Sequence, residues 1–241
     1  MGTIRQDIHS SAIPVVCREC EARHGGICSA LEPAELLRLG RHARRREVPA
    51  GTELVSAGLP VDTYANILSG VVKLTKLLPD GRQQIVGLQF APDFLGRPFA
   101  GSSSVGAVAA STVRLCVFPR AELEDMARQS HPLEHRLYAQ SLRELDDARE
   151  WMVILGQKSA SQKLASFLLL LGTHIDPTVD GFSDVIDLPW TRADIADFLG
   201  LTIETVSRQL TRLRNAEIIS IEKNRHVTVL NYPALTTEAG I

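Results

Sequence analysis

The segment WTRADIADFLGLTIETVSRQLTRLRNAEIISIEKNRHVTVLN, Trp190 to Asn231, restricts the fold more than any other stretch of this 241-residue chain. Thr191 followed three residues later by Asp194 resembles a capping box, with the shorter Asp in place of Glu. Ile195, Ala196 and Leu199 form a short apolar face that stops at Gly200. Thr202 can cap a second helix, whose Ile203, Val206, Leu210 and Leu213 lie on one side. Two helices joined by a tight turn at glycine make a helix-turn-helix. IISIEK and HVTVL then alternate apolar and polar residues about Asn224-Arg225, the pattern of two strands in a wing.

The formal net charge is −2, so any surface for nucleic acid must be local. The second helix, Thr202–Asn215, supplies one: Arg208, Arg212 and Arg214 stand against Glu204 alone, three positive charges less one negative. A plain helical hairpin would not need that excess. Glu204, Ser207 and Arg208 lie at i, i+3 and i+4, in the half that a recognition helix presents to base edges in the major groove. Arg208 can pair bidentately with guanine, Glu204 can accept from cytosine N4, and Ser207 can touch a base or a phosphate. Thr202, Arg212 and Arg214 complete the candidate DNA surface, the two arginines as phosphate contacts.

The other conspicuous feature is VVCRECEARHGGIC, residues 15–28, which gathers Cys17, Cys20 and Cys28; the fourth cysteine, Cys116, follows 88 residues later. The longest apolar run, around Phe167–Leu171, is too short to span a bilayer, and MGTIRQDIHSSAIP lacks the apolar core of a signal peptide. The expected compartment is the cytoplasm, where thiols stay reduced and close cysteines point to metal rather than disulfides. Four thiolates suit either a tetrahedral zinc ion or an iron–sulfur cluster. A CxxC pair also occurs in thiol-redox proteins, and a cysteine in an apolar strand, as Cys116 is, is ordinarily an inert core residue. His24 reads as an exposed loop residue. Residues 1–30 read as irregular, with Cys17 and Cys20 among Arg18, Glu19, Glu21 and Arg23 under little apolar cover.

Between these ends the texture changes twice. Residues 31–47 read as a short helix with Leu36, Leu37 and Leu39 buried and Arg44-Arg45-Arg46 as its solvated end. From Val48 to Pro119, short strands broken by glycine, with a hairpin turn at Pro79-Asp80-Gly81, predict an antiparallel roll or barrel. Residues 133–156 then read as one long helix. Tyr138, Ser141, Leu145, Ala148, Met152 and Leu155 recur on it at heptad spacing, which serves a dimer seam or packing within the same domain equally well. A further helix near Ser159–Gly172 and a loop containing Asp176-Pro177 lead to the C-terminal motif. The predicted class is α+β, in four parts: a cysteine-rich segment 1–30, a β-roll 31–132, a dimerisation helix 133–158 and a winged helix-turn-helix 159–241. No G-x-S-x-G elbow, P-loop or HExxH pair indicates an enzyme.

A glycine-punctuated β-roll, a long seam helix and a winged helix-turn-helix resemble the cyclic AMP receptor protein superfamily of transcription regulators over nearly the whole chain. Glu204-x-x-Ser207-Arg208 within GLTIETVSRQL, the upstream SGVVKL and STVRLCVF around Cys116 are more similar still to its FNR branch. That branch holds the oxygen-responsive fumarate and nitrate reduction regulators, and the FnrL-like members match best. The resemblance implies a [4Fe-4S] cluster on Cys17, Cys20, Cys28 and Cys116, with three N-terminal ligands and one at the end of the β-roll. It implies conversion to [2Fe-2S] in air with loss of a DNA-binding homodimer. It also implies that Glu204, Ser207 and Arg208 read a TTGAT half-site in a TTGAT-N4-ATCAA operator. The tip around Asp80 and Arg82 resembles the loop through which such activators touch RNA polymerase. Cyclic nucleotide is not expected: Arg97 follows Gly96 where the superfamily's acidic residue should stand, and Val108-Ala109-Ala110 replace its late basic position. The alternative within the superfamily is a zinc-stapled or redox-insensitive regulator.

Overall fold

The computed structural model describes residues 13–18, 20–175, 181–188, 190–223 and 225–241. The Asp176-Pro177 loop and Asn224 of the wing turn lie outside them. The chain divides into two compact units, one of residues up to Leu74 with Leu88–Leu145, the other of Thr75–Gly87 with Asp146–Ile241.

In the first unit the cysteine segment is not irregular where it is described. It makes two single helical turns, α1 (Val15–Arg18) and α2 (Glu21–His24), and a 3-10 turn at Ile27–Ala30. Turns this short lack the length to show periodicity; burial of Ala22 and Ile27 fixes them instead. Helix α3 (Pro33–His42) starts with Pro33 at N1 and a reciprocal Glu32–Glu35 cap. Leu36 and Leu39 are buried, whereas Leu37, 100° round the helix from Leu36, is exposed, contrary to the sequence expectation. The Arg44-Arg45-Arg46 run is also not a helix end: it forms strand β1 (Arg44–Val48). A charge run reports exposure, and an edge strand meets that condition as well as a helix terminus does.

Strands β2 (Glu53–Val55), β3 (Thr63–Ser69), β4 (Val71–Leu77), β5 (Gln83–Phe90), β6 (Phe94–Leu95), β7 (Gly106–Ala109) and β8 (Val113–Pro119) complete two four-stranded sheets, ordered β1-β8-β3-β6 and β2-β7-β4-β5. Successive strand residues face opposite ways. On β8, Val113, Leu115 and Val117 join a core with Ala65, Ile67, Ala107 and Ala109. Cys116 and Phe118 join the other, with Ile27, Cys28, Leu36, Leu39 and Tyr64. Strand parity therefore turns Cys116 towards the N-terminal helical turns. Helices α4 (Arg120–Gln129) and α5 (His131–Gln157) follow.

The second unit contains α6 (Ala160–His174), β9 (Val185–Asp187), α7 (Arg192–Leu199), α8 (Ile203–Asn215), β10 (Ile219–Glu222), β11 (His226–Val229) and α9 (Tyr232–Ala239). Ser159 and Gln162 cap α6 reciprocally. The two wing strands pair in the register Ile219↔Val229, and β9 joins as a third. Phe198 of α7 packs against Trp151, Phe167 and Trp190, with ring centroids 4.5, 5.8 and 5.7 Å away. No helix among the described residues is long and apolar enough to cross a membrane.

Candidate nucleic-acid interface and thiol site

The sequence signals that define the two helices of the motif have direct counterparts. Thr191 Oγ1 accepts the backbone N–H of Asp194 at 3.1 Å, and Asp194 Oδ2 accepts the N–H of Thr191 at 3.2 Å. Gly200 ends α7 in the left-handed region, φ 61° and ψ 41°, a conformation that costs glycine no Cβ clash. Thr202 Oγ1 then caps α8 by accepting the N–H of Thr205.

Val206, Leu210 and Leu213 hold α8 to the unit, but Ile203 is exposed. It lies 300° round the helix from Val206, at the margin of the apolar stripe. Glu204, Ser207 and Arg208 are all exposed on the opposite side, with Arg208 Nη2 donating to Thr205 Oγ1 at 3.4 Å. Arg214 is exposed two turns beyond Ser207 on the same face. Arg212 differs from them: its guanidinium is bonded to Glu238 of α9 and Ser161 of α6, which ties α8 to the helices beside it.

All four cysteines are free thiols, and all four line one cavity of about 20 Å3, together with Leu36, Leu39, Ala43 and Asn66. The expectation of little apolar cover fails, because Cys20 and Cys28 are only 9 % exposed and the neighbouring Ala22 and Ile27 are fully buried. His24 is half-buried at the end of α2 rather than exposed. The sheet register places Arg45 of β1 on one side of Cys116 and Asn66 of β3 on the other. Asn66 is 1 % exposed, and its Nδ2 donates to Cys28 Sγ at 3.2 Å.

Burial, reinforced by Cys116, Cys20 and Cys17, raises the Cys28 thiol far above its ordinary range, and the Asn66 N–H opposes this only in part. Burial likewise pushes Cys116 up to about 12 against the opposing charge of Arg45. Cys17 is raised by burial and by Cys20, with Arg23 and Arg45 acting the other way. The site thus joins four sulfurs that sense one another, two cations and an amide donor. Among the described residues, no three Cys, His, Asp or Glu groups are gathered tightly enough to hold a single ion. Asn66 was not singled out from the sequence and Arg45 was read only as part of a solvated helix end; the inter-strand register that sets both beside Cys116 has no local signal.

On α5, Tyr138, Ser141, Leu145, Ala148 and Met152 are exposed and Leu155 is half-buried. Leu142 and Val153 are exposed as well, so the apolar stripe is wider than a strict heptad seam. At the β4–β5 tip, Asp80 accepts from Arg82 through its backbone N–H at 3.0 Å and its Nε at 2.8 Å, which closes the turn on itself. A larger cavity of about 510 Å3 in the first unit is bordered by Gln89, Arg97, Ser102, Ser103, Ser104 and Glu144, with Arg97 Nη1 bonded to Ser104 Oγ at 2.6 Å.

A β-roll, a long helix with an exposed apolar stripe and a capped helix-turn-helix with a wing together define a DNA-binding transcription regulator. Residues 45–130 match the cyclic nucleotide-binding domain and residues 162–238 the Crp-like helix-turn-helix domain. The chain is 51 % identical over 229 residues to a probable transcriptional activator of Rhizobium leguminosarum bv. viciae, covering 95 % of each. It is 36 % identical over 227 residues to the transcriptional activator protein FnrL of Cereibacter sphaeroides, covering 93 % of this chain and 92 % of that one. Among solved structures, FixK2 from Bradyrhizobium japonicum superposes with a TM-score of 0.73 at 30 % identity, covering 81 % of this chain and 96 % of that one. The chain belongs to the Crp/Fnr family of transcription regulators.

Proposed function

We propose that the protein is an oxygen-responsive transcriptional activator that holds a [4Fe-4S] cluster on Cys17, Cys20, Cys28 and Cys116 and binds TTGAT-N4-ATCAA-type operators as a homodimer. The observation that carries this reading is the convergence of every cysteine of the chain, from one short segment and one distant strand, on a single buried cavity. The similarity to FnrL supports it. The donor set fits: four thiols, one amide N–H directed at a sulfur, and Arg23 and Arg45 to offset negative charge. At about 20 Å3 the cavity has room for little more than one water, so the four thiols would have to stand further apart to hold the group. When bound, the cluster supplies iron and sulfide that react with oxygen.

The protein's own residues do the rest. Glu204, Ser207 and Arg208 read base edges and Arg214 contacts phosphate, while Arg212 serves α8 through Glu238. The exposed stripe on α5 pairs with its copy, and Asp80 and Arg82 offer a contact to RNA polymerase. Cyclic nucleotide is not the effector in this reading, since Arg97 stands where the superfamily's acidic residue should be and Val108-Ala109-Ala110 replace its late basic position.

The alternative is a regulator stapled by one zinc ion with no response to oxygen, which four free thiols also suit. Iron, acid-labile sulfide and zinc analysis of anaerobically purified protein, with operator binding measured before and after exposure to air, separates the two. Equal iron and sulfide with binding lost in air supports the cluster; zinc with air-stable binding overturns it. Full iron retention after Cys→Ala at any of the four positions would remove that residue from the ligand set.

A further inference from the structure

Within the first unit, α5 carries two faces. Leu133 and Leu137 are buried in the core that contains Ile27 and Cys28, whereas Tyr138, Ser141 and Leu145 are exposed. Arg136 lies on the inner side, next to Leu137, and reaches across 110 residues of chain: its Nε donates to the carbonyl oxygen of Gly26 at 3.3 Å. Its Nη2 donates to the carbonyl oxygen of Gly25. These two carbonyls form the turn between α2 and the 3-10 turn, five residues after Cys20 and two before Cys28.

The turn is confined on its other side. A Cβ at Gly26 would stand 2.7 Å from the carbonyl oxygen of Ala22 and 2.8 Å from that of Pro92, so the turn packs too closely there to admit a side chain. The turn joins Cys20 to Cys28, so a shift of either cysteine that displaces it also displaces the Gly25 and Gly26 carbonyls. A guanidinium is a rigid planar fork, and one that grips two consecutive carbonyls follows them as a body. Tyr138, the first exposed residue of the α5 stripe, is two residues further on.

We propose that Arg136 is the positioning residue through which the state of the cysteine site reaches the exposed face of α5; this deepens the function proposed above and rests on the four cysteines being the sensor. The apolar contacts of Leu133 and Leu137 hold α5 against the segment in either state, because they lack direction. The two Arg136 bonds are directional, and only a directional link distinguishes one position of the turn from another.

The test compares wild type, Arg136→Gln and Arg136→Lys as full chains. Dimer dissociation constants are measured by sedimentation under nitrogen, with the cluster present and after its removal, alongside iron and sulfide content. Wild type should dimerise about 5- to 150-fold more tightly with the cluster, the usual range of coupling between sites. Arg136→Gln should keep its iron and sulfide while that ratio falls towards unity, and Arg136→Lys, which retains charge but not the fork, should fall between. A full wild-type ratio in Arg136→Gln overturns the proposal. So does loss of iron in that variant, which would make Arg136 a support of the cysteine segment only, and so does a wild type that dimerises equally in both states.

If wild type holds no iron or sulfide, the functional reading has failed, and the coupling is read instead by hydrogen exchange of the amides at 22–28, above and below the dimerisation concentration. Protection that depends on dimerisation in wild type and not in Arg136→Gln supports the link. Equal dependence in both overturns it.

Discussion

Asn66 places an amide in a strand whose other inward residues on the same face are Tyr64 and the sulfur-lined cavity. It gives one N–H to Cys28 Sγ, and its carbonyl oxygen is buried without a hydrogen-bond partner among the described residues. A thiol sulfur is a weak acceptor, so the bond offsets little of that cost; a sulfur bearing negative charge accepts far better. Asn66→Val, a residue that suits a strand, should therefore change the stability of the metal-free protein by less than about 1 kcal/mol in urea unfolding. The same change should hasten loss of anaerobically bound iron. Glu124 is the opposite case. It is 7 % exposed and accepts from Phe99 N–H, Tyr64 Oη–H and Arg120 Nε, each at 2.8 Å. Burial alone would raise its carboxyl, but these donors outweigh it and hold the group below its ordinary value of 4.5. Its contribution is thus present above about pH 4.5 and fades as pH falls through the lowered value. Glu124→Gln should cost about 2–3 kcal/mol at neutral pH, and the difference from wild type should shrink in urea titrations at acid pH. The sequence disclosed the four cysteines but neither of these partners. Asn66 and Glu124 are ordinary polar residues until strand parity and a helix face bring them to their donors and acceptors.

At the scale of elements, the helix-turn-helix was legible because its limits are written locally. Thr191 with Asp194, Gly200 and Thr202 each satisfy a backbone group within three or four residues. Strand β9 was not legible: three residues long, it is too short to show an alternation and takes its place from pairing with β11. Helix α9 was passed over although Asn231 caps it, proline stands in its first turn and Gly240 ends it in the left-handed region. The readable helix carries a sharp expectation. Arg208→Ala should weaken binding to a TTGAT operator by about 1–3 kcal/mol per half-site and relax the preference at its G·C pair. Arg214→Ala should weaken specific and random DNA alike and reduce the salt slope. Equal losses on both DNAs for Arg208→Ala would refute its reading role. On α5, small Ser141 and Ala148 alternate with larger stripe residues, so self-pairing buries modest apolar area. Ala148→Leu should tighten the dimer by up to about 1.5–3 kcal/mol per protomer and preserve operator binding in air. Asp146 and Asp147 are exposed acids beside the stripe, and like charges oppose self-pairing; Arg149 lies 3.2 Å from Asp146 and already offsets it, so Asp147→Asn should favour the dimer more than Asp146→Asn does. Sedimentation in air and under nitrogen checks both variants.

Across the whole molecule, the class of fold follows from the alternation of short strands, long helix and capped helix pair, whereas the register that unites the cysteines does not. One side of Cys116 in that register is taken by Arg45 of β1, and β1 was hidden behind its own charge. Among the described residues the strand is the outermost of its sheet, paired to β8 on one side and to no strand on the other. An unpaired edge offers a row of backbone donors and acceptors to any extended segment that meets it, including the same strand of another molecule. Arg44, Arg45, Arg46 and Glu47 are all exposed along it, and three like charges in register repel their counterparts when two such edges approach. The arginine run is therefore a guard against edge-to-edge assembly. Replacing all three by Thr, which favours strands, should leave β1 paired with β8 yet produce higher-order aggregates on concentration, visible by light scattering and suppressed again when Arg45 alone is restored.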